Sequence, residues 1–146
     1  MKIVADENIP RIDEALAGLG KVELVAGRSM TRETVADADI LLVRSVTRVG
    51  PELLEGSAVR FVGTATIGTD HLDTRWLEEN GIHWVSAQGS NANSVVEYVI
   101  SAIMTLCERR GFRPHGLTLG IIGFGNIGGL LSKKAPLLGL EVIASD

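Results

Sequence analysis

The chain has 146 residues, 45% of them hydrophobic and 22% charged, a globular balance that excludes wholesale disorder. Its 14 basic and 18 acidic residues leave a net charge of −4, which excludes the basic footprint of a nucleic-acid binder. One cysteine makes no internal disulfide, three scattered histidines make no metal cluster, and no apolar run reaches the ~18 residues of a membrane span.

Short apolar runs alternate with amphipathic stretches, the pattern of a parallel sheet covered by helices. Lys2–Ala5 reads as the first strand, closed by the polar cluster Asp6-Glu7-Asn8 and by Pro10. Charge this early stands where a signal peptide needs its apolar stretch, so a cytoplasmic location without membrane partners is expected. Ile12, Leu16 and Leu19 have helical spacing, with Gly20 as the stop. Val22–Val25, Ile40–Val43 and Phe61–Gly63 read as further strands. The third of these runs into a small-residue loop, Thr64-Ala65-Thr66-Ile67-Gly68-Thr69. Asp73 is placed to cap a helix carrying Trp76 and Leu77 that Gly81 ends, and Ile82–Val85 supplies a fifth strand.

The clearest helix follows, over 91–110. Val95, Val96, Val99, Ile100, Ile103, Met104 and Cys107 form one stripe at three- and four-residue spacing, so Cys107 reads as a packed thiol. Ser94 with Glu97 fits a capping box, with Asn91 as a competing cap one turn earlier. Gly111 stops the helix, and 112–116 form a linker. The organisation expected is a substrate domain over 1–90, a connecting helix and linker over 91–117, and part of a nucleotide-binding domain over 118–146.

That last segment carries a Gly-x-Gly-x-x-Gly loop, Gly123-Phe124-Gly125-Asn126-Ile127-Gly128, behind the strand-like Thr118–Ile122. A helical stretch and a second strand, Glu141–Ser145, lead to Asp146, 18 residues past the last glycine and near the spacing of a ribose ligand. Gly123 permits the tight turn, Gly125 clears room for a pyrophosphate, and Gly128 lets helix and strand approach. The helix amino terminus at Asn126 and Ile127 offers free N–H groups to the anion. Asp146 would accept from ribose hydroxyls and repel a 2′-phosphate, favouring NAD over NADP. The alternative is a glycine-rich turn of another α/β protein, such as a methyl-donor nucleotide site. Pro136 falls inside the expected helix and should kink or end it.

Five separated motifs together resemble the D-2-hydroxyacid dehydrogenases: Val43-Arg44-Ser45-Val46-Thr47, Phe61-Val62-Gly63-Thr64-Ala65-Thr66, Gly68-Thr69-Asp70-His71-Leu72-Asp73, Asn91-Ala92 and Val95-Val96-Glu97-Tyr98. The resemblance implies a flavodoxin-like parallel-sheet substrate domain followed by the first βαβ unit of a Rossmann NAD-binding domain. It is strongest to the members that oxidise 4-phospho-D-erythronate with NAD in vitamin B6 synthesis, as cytoplasmic homodimers. It implies that Ser45 and Thr66 touch the substrate and that Asp146 holds the NAD ribose. Arg44, Ser45 and Thr66 also sit at the carboxyl ends of adjacent expected strands, where open α/β sheets bind ligands. For Arg44 a surface salt bridge is an equal alternative, and His71 reads as a structural hydrogen-bonding group or helix cap. Two residues depart from the family pattern: Gly129-Leu130 stand where an arginine often lies near the pyrophosphate, and Ser90 stands where cysteine is common.

The family's catalytic arginine, glutamate and histidine match no motif here, so no catalytic residue is assigned and the chain reads as an amino-terminal fragment. Another 2-hydroxy acid, such as a phosphoglycerate, is the competing substrate. A non-catalytic, corepressor-like ligand-binding module is the competing class.

Overall fold

Alternation decides the first sheet. In the computed structural model, which describes residues 1–146, five strands run parallel: β1 (Lys2–Asp6), β2 (Lys21–Val25), β3 (Ile40–Val43), β4 (Phe61–Thr64) and β5 (His83–Ser86). Their order is β2-β1-β3-β4-β5, the flavodoxin-like order expected. β1 lies inside the sheet, with Ile3 opposite Val22 on one side and Ile40 on the other. Successive side chains of a strand point to opposite faces. Val4, Leu41, Val43 and Val62 therefore meet Val35, Leu54 and Leu77 in one core, while Ile3 and Ala5 meet Ile12 and Leu16 in another. Gly63 lies close under a neighbouring side chain inside this sheet, where an added Cβ would come within 2.7 Å of Leu42 Cδ2 and make that side chain shift.

The helices over this sheet are short: α1 (Ile12–Ala15), α2 (Arg32–Val35), α3 (Pro51–Leu54) and α4 (Thr74–Glu79). The expected α1 is cut to one turn because Gly18 takes a left-handed φ of 83°. Ile12 and Leu16 stay buried, whereas Leu19, beyond the break, is exposed. α4 begins as expected, with Asp73 Oδ1 accepting from the Trp76 N–H at 3.0 Å, and Gly81 follows it at φ 69°. The strand–helix segments from Met1 to Ala87 make one unit and Gln88–Asp146 a second.

The second unit contains α5 (Ala92–Arg110), β6 (Thr118–Ile122), α6 (Asn126–Lys134) and β7 (Glu141–Ser145). α5 ends at Gly111 as expected, with φ 69°. Its start differs from the expected capping box: the helix begins at Ala92, and the Val95 N–H already bonds to the Asn91 carbonyl at 3.0 Å. Ser94 thus lies inside the first turn rather than before it, and Asn91 takes the cap position without a side-chain bond. Pro136, which lacks an N–H, stands in the 3₁₀ turn Ala135–Leu138 that replaces the end of α6. β6 and β7 pair in parallel, Ile121 beside Ala144. One face of this pair packs through Ile121 on Val96 and Leu131. Ile122 and Ile143, pointing the other way, are 97% and 67% exposed. No helix of the chain is long and apolar enough to cross a membrane.

Candidate active site and nucleotide loop

In an open parallel sheet the carboxyl ends of the strands face the ligand crevice, and the polar residues of the first unit gather there. Asp6 closes β1 and is fully buried. Its carboxylate accepts from the Asn8 N–H at 2.9 Å and from Arg44 Nε, just past neighbouring β3, at 3.1 Å. Burial pushes the Asp6 carboxyl up, but the Asn8 donors and the Arg44 guanidinium outweigh it and hold its pKa below the ordinary carboxylate value. Gly27 makes room for this carboxylate, because a Cβ at 27 would collide with Asp6 Oδ2 and lie 2.9 Å from Thr47 Oγ1. Thr47, also buried, donates its hydroxyl to the Gly27 carbonyl at 2.8 Å. Arg44 is therefore anchored through Nε, with its two terminal nitrogens left over.

Beyond β3 and β4 opens a cleft of about 440 Å³ lined by Ser45, Arg48, Thr66, Gly68, Asp70 and His71. A chain of side-chain contacts builds its floor: Thr66 Oγ1 lies 2.8 Å from Thr64 Oγ1, which lies 2.9 Å from His71 Nε2. Burial lowers the His71 pKa against the smaller opposing pull of Asp70, so the ring is held neutral. The segment carrying His71 is fixed to the turn after β3, the Val49 N–H donating to the His71 carbonyl and the Asp73 N–H to the Val49 carbonyl, both at 2.8 Å. Within the loop after β4, the N–H groups of Ile67 and Gly68 donate to no protein acceptor. The cleft lining thus offers the Ser45 and Thr66 hydroxyls and the Arg48 guanidinium beside the Asp70 carboxylate and the His71 ring.

In the second unit the glycine loop joins β6 to α6 as the motif requires. Gly123 has φ 95°, a conformation that disfavours side chains, and its N–H donates to the Ser145 carbonyl at 2.7 Å. A Cβ on Gly128 would strike the Gly123 carbonyl oxygen and approach Ile121 Cγ2 at 3.2 Å, so helix and strand touch only because that residue is glycine. Gly125, the residue before α6, faces open space with nothing within 4 Å of a built Cβ. Asp146 Oδ1 accepts from the Phe124 N–H at 2.8 Å, which brings the acid beside the loop 22 residues earlier.

The family model for the D-isomer specific 2-hydroxyacid dehydrogenase catalytic domain matches residues 2–139. The chain belongs to this dehydrogenase family. Among curated dehydrogenases of this kind, it is 57% identical over 146 residues to a Cellvibrio japonicus protein named erythronate-4-phosphate dehydrogenase. It is 51% identical to the protein of the same name from Salinibacter ruber. The whole chain is covered in both cases, but it spans only 38% and 37% of those relatives' lengths. A solved 3-phosphoglycerate dehydrogenase from Entamoeba histolytica, with NAD⁺ bound, superposes on it with a TM-score of 0.74 at 27% identity, covering 100% of this chain and 54% of its own. D-lactate dehydrogenase from Aquifex aeolicus shares the fold with a TM-score of 0.78 at 19% identity, covering 100% of this chain and 51% of its own.

Against this dehydrogenase frame, the structure brings Ser45 and Thr66 to one cleft and leaves Arg44 outside its lining, paired with Asp6. His71 is the hydrogen-bonding group expected, on Thr64 rather than as a helix cap. Sequence reasoning missed Arg48 and the burial of Asp6. The signal for Arg48 was its place three residues after Ser45 on one turn. Asp6 looked only like the polar end of a strand until β1 and β3 proved to be neighbours.

Proposed function

We propose that this chain carries the substrate-binding domain (1–90), the connecting segment (91–117) and the opening unit of the NAD-binding domain (118–146) of an enzyme oxidising 4-phospho-D-erythronate to its 2-oxo acid in vitamin B6 (pyridoxal phosphate) biosynthesis. The observation that carries this reading is identity of 51–57% along all 146 residues to proteins named erythronate-4-phosphate dehydrogenase. In this reading Ser45 and Thr66 donate hydroxyls to the substrate, and Arg44 offers the guanidinium nitrogens that Asp6 does not use. Ile67 and Gly68 direct their free N–H groups at the carboxylate.

NAD fits the second unit. Gly125 leaves open the approach a pyrophosphate needs, and Gly128 seats the first turn of α6 behind Gly123. Gly123, Gly125, Asn126, Ile127 and Gly128 would hold the phosphates, and Asp146 the adenosine ribose. When bound, NAD accepts the hydride from the hydroxyl-bearing carbon. The residues here bind and orient the reactants, and the base that takes the hydroxyl proton is assigned to none of residues 1–146. The complete enzyme is read as a cytoplasmic homodimer.

The test is a chimera in which these 146 residues replace the matching segment of the Cellvibrio japonicus protein. NADH formation from 4-phospho-D-erythronate is expected, with Ser45→Ala and Thr66→Ala raising KM more than they lower kcat. A well-folded chimera that prefers 3-phosphoglycerate would favour the second reading, which the 27% identity to 3-phosphoglycerate dehydrogenase keeps open.

A further inference from the structure

We propose that Arg48 is the residue that makes this site select a phosphate-bearing substrate, pairing with the phosphate beside the Ser45 hydroxyl. The inference rests on the dehydrogenase reading above and deepens it.

Arg48 is the only cationic side chain lining the cleft, and it is exposed there without an ion pair. The charge of Arg44 is opposed by the buried Asp6 at 3.1 Å, Arg32 bonds to the Pro51 carbonyl at 2.9 Å, and neither these nor Arg28, in the turn after β2, lines the cleft. Asp70, the other charged group in the cleft, makes no salt bridge with Arg48, so the guanidinium charge is not spent within the protein. His71 is neutral and adds none.

The backbone under Arg48 is clamped on both sides. Thr47, just before it, is buried and bonded to the Gly27 carbonyl. Val49, just after it, is 2% exposed and bridged to Leu72. A long cationic side chain thus leaves a fixed point of the cleft wall, so the ordering that remains when an anion arrives is that of the side chain alone.

Charge counting separates phosphate from carboxylate. The Ile67 and Gly68 N–H groups suffice for a singly charged carboxylate. A phosphate monoester carries nearly two charges and three strong acceptor oxygens at neutral pH. Neutral hydroxyl and amide donors would leave that charge uncompensated beside Asp70. A guanidinium supplies the charge and a planar fork of donors, while the Ser45 hydroxyl can serve a further oxygen.

Two measurements test this. In the first, the 146-residue chain is titrated with inorganic phosphate and followed by ¹H–¹⁵N NMR at Ser45, Arg48 and Thr66. Shifts at these amides are expected, weakened about 10- to 100-fold in Arg48→Ala and partly restored in Arg48→Lys, the range a charge-assisted contact supports. In the second, the chimera bearing Arg48→Ala is assayed on 4-phospho-D-erythronate and on D-erythronate without the phosphate. KM should rise by a similar factor for the phosphorylated substrate alone, with kcat nearly kept. Equal losses on both substrates, or phosphate binding unchanged in Arg48→Ala or undetectable in the parent chain, would overturn the proposal. Arg48-dependent phosphate binding with a parent chimera inactive on 4-phospho-D-erythronate would instead sink the substrate reading and leave the phosphate site standing.

Discussion

Replacing Asp6 tests whether the buried carboxylate holds the strand ends together. Asp6 has no exposed surface and receives the Asn8 N–H and Arg44 Nε. Removing one partner of a buried ion pair costs about 3–5 kcal/mol. The Arg44 side chain is 34% exposed and recovers some hydration, which brings the expectation for Asp6→Ala to about 3 kcal/mol. In a unit the size of Met1–Ala87 each kcal/mol moves Tm by about 4–8 °C, giving a fall of roughly 12–24 °C. Asp6→Asn, which keeps an oxygen for the Asn8 N–H, should lose about half as much. Both tryptophans, Trp76 and Trp84, belong to this unit, so tryptophan fluorescence in a urea titration reads its unfolding separately. The pH dependence has a definite sign. Because the folded pKa of Asp6 is lowered, its stabilisation is complete above the unfolded value near 3.9 and is lost as pH falls through the folded value. The gap between the native chain and Asp6→Asn should therefore be flat from pH 7 to about 5 and shrink below about 4. An Asp6→Ala chain within about 0.5 kcal/mol of the parent, the range of an ordinary surface change, would refute the reasoning.

Gly128→Ala drives a methyl group into the Gly123 carbonyl, and a loss of about 1–3 kcal/mol from the second unit, with weakened NAD binding by calorimetry, is expected. Asp146→Ala in the chimera should cut the preference for NAD over NADP by about tenfold or more, read from the ratio of kcat/KM values, since a charge-assisted hydrogen bond is lost and a repulsion relieved. Hydrogen exchange on the 146-residue chain should show the β6 and β7 amides less protected than those of Phe61–Gly63, because Ile122 and Ile143 leave one face of that two-stranded sheet uncovered. Protection equal to that of β4 in a monomeric sample would contradict this.

Strands and loops were legible wherever one residue type had a single physical use. Short, mostly apolar runs of three to five residues located β1 to β7 within a residue or two, and the spacing Gly123-x-Gly125-x-x-Gly128 with Asp146 located a loop that folds as its glycines dictate. Helix lengths were less legible, because Gly18 interrupts a periodic pattern that would otherwise run on to Leu19. The site was half legible. Ser45 and Thr66 announce themselves as hydroxyls at strand ends. The pairing of Asp6 with Arg44, 38 residues apart, depends on β1 lying beside β3, and periodicity does not report strand order. Arg48 was hidden for a related reason: its neighbours Thr47 and Val49 point into the protein, and only the tertiary bonds they make turn the intervening side chain toward the cleft.

The strand order also sets a schedule for how the first sheet is made. β1 emerges first yet pairs with both β2 and β3, so it waits for about forty residues of chain before its two sides are filled. β3 joins the free edge of β1, and each strand after it joins the edge left by its predecessor, β4 on β3 and β5 on β4. The sheet can thus grow outward in the order of synthesis, never needing to open a pair already closed. All its strand pairings span crossovers rather than hairpins, so each carries the entropic cost of closing a long connection and later strands add to a standing edge.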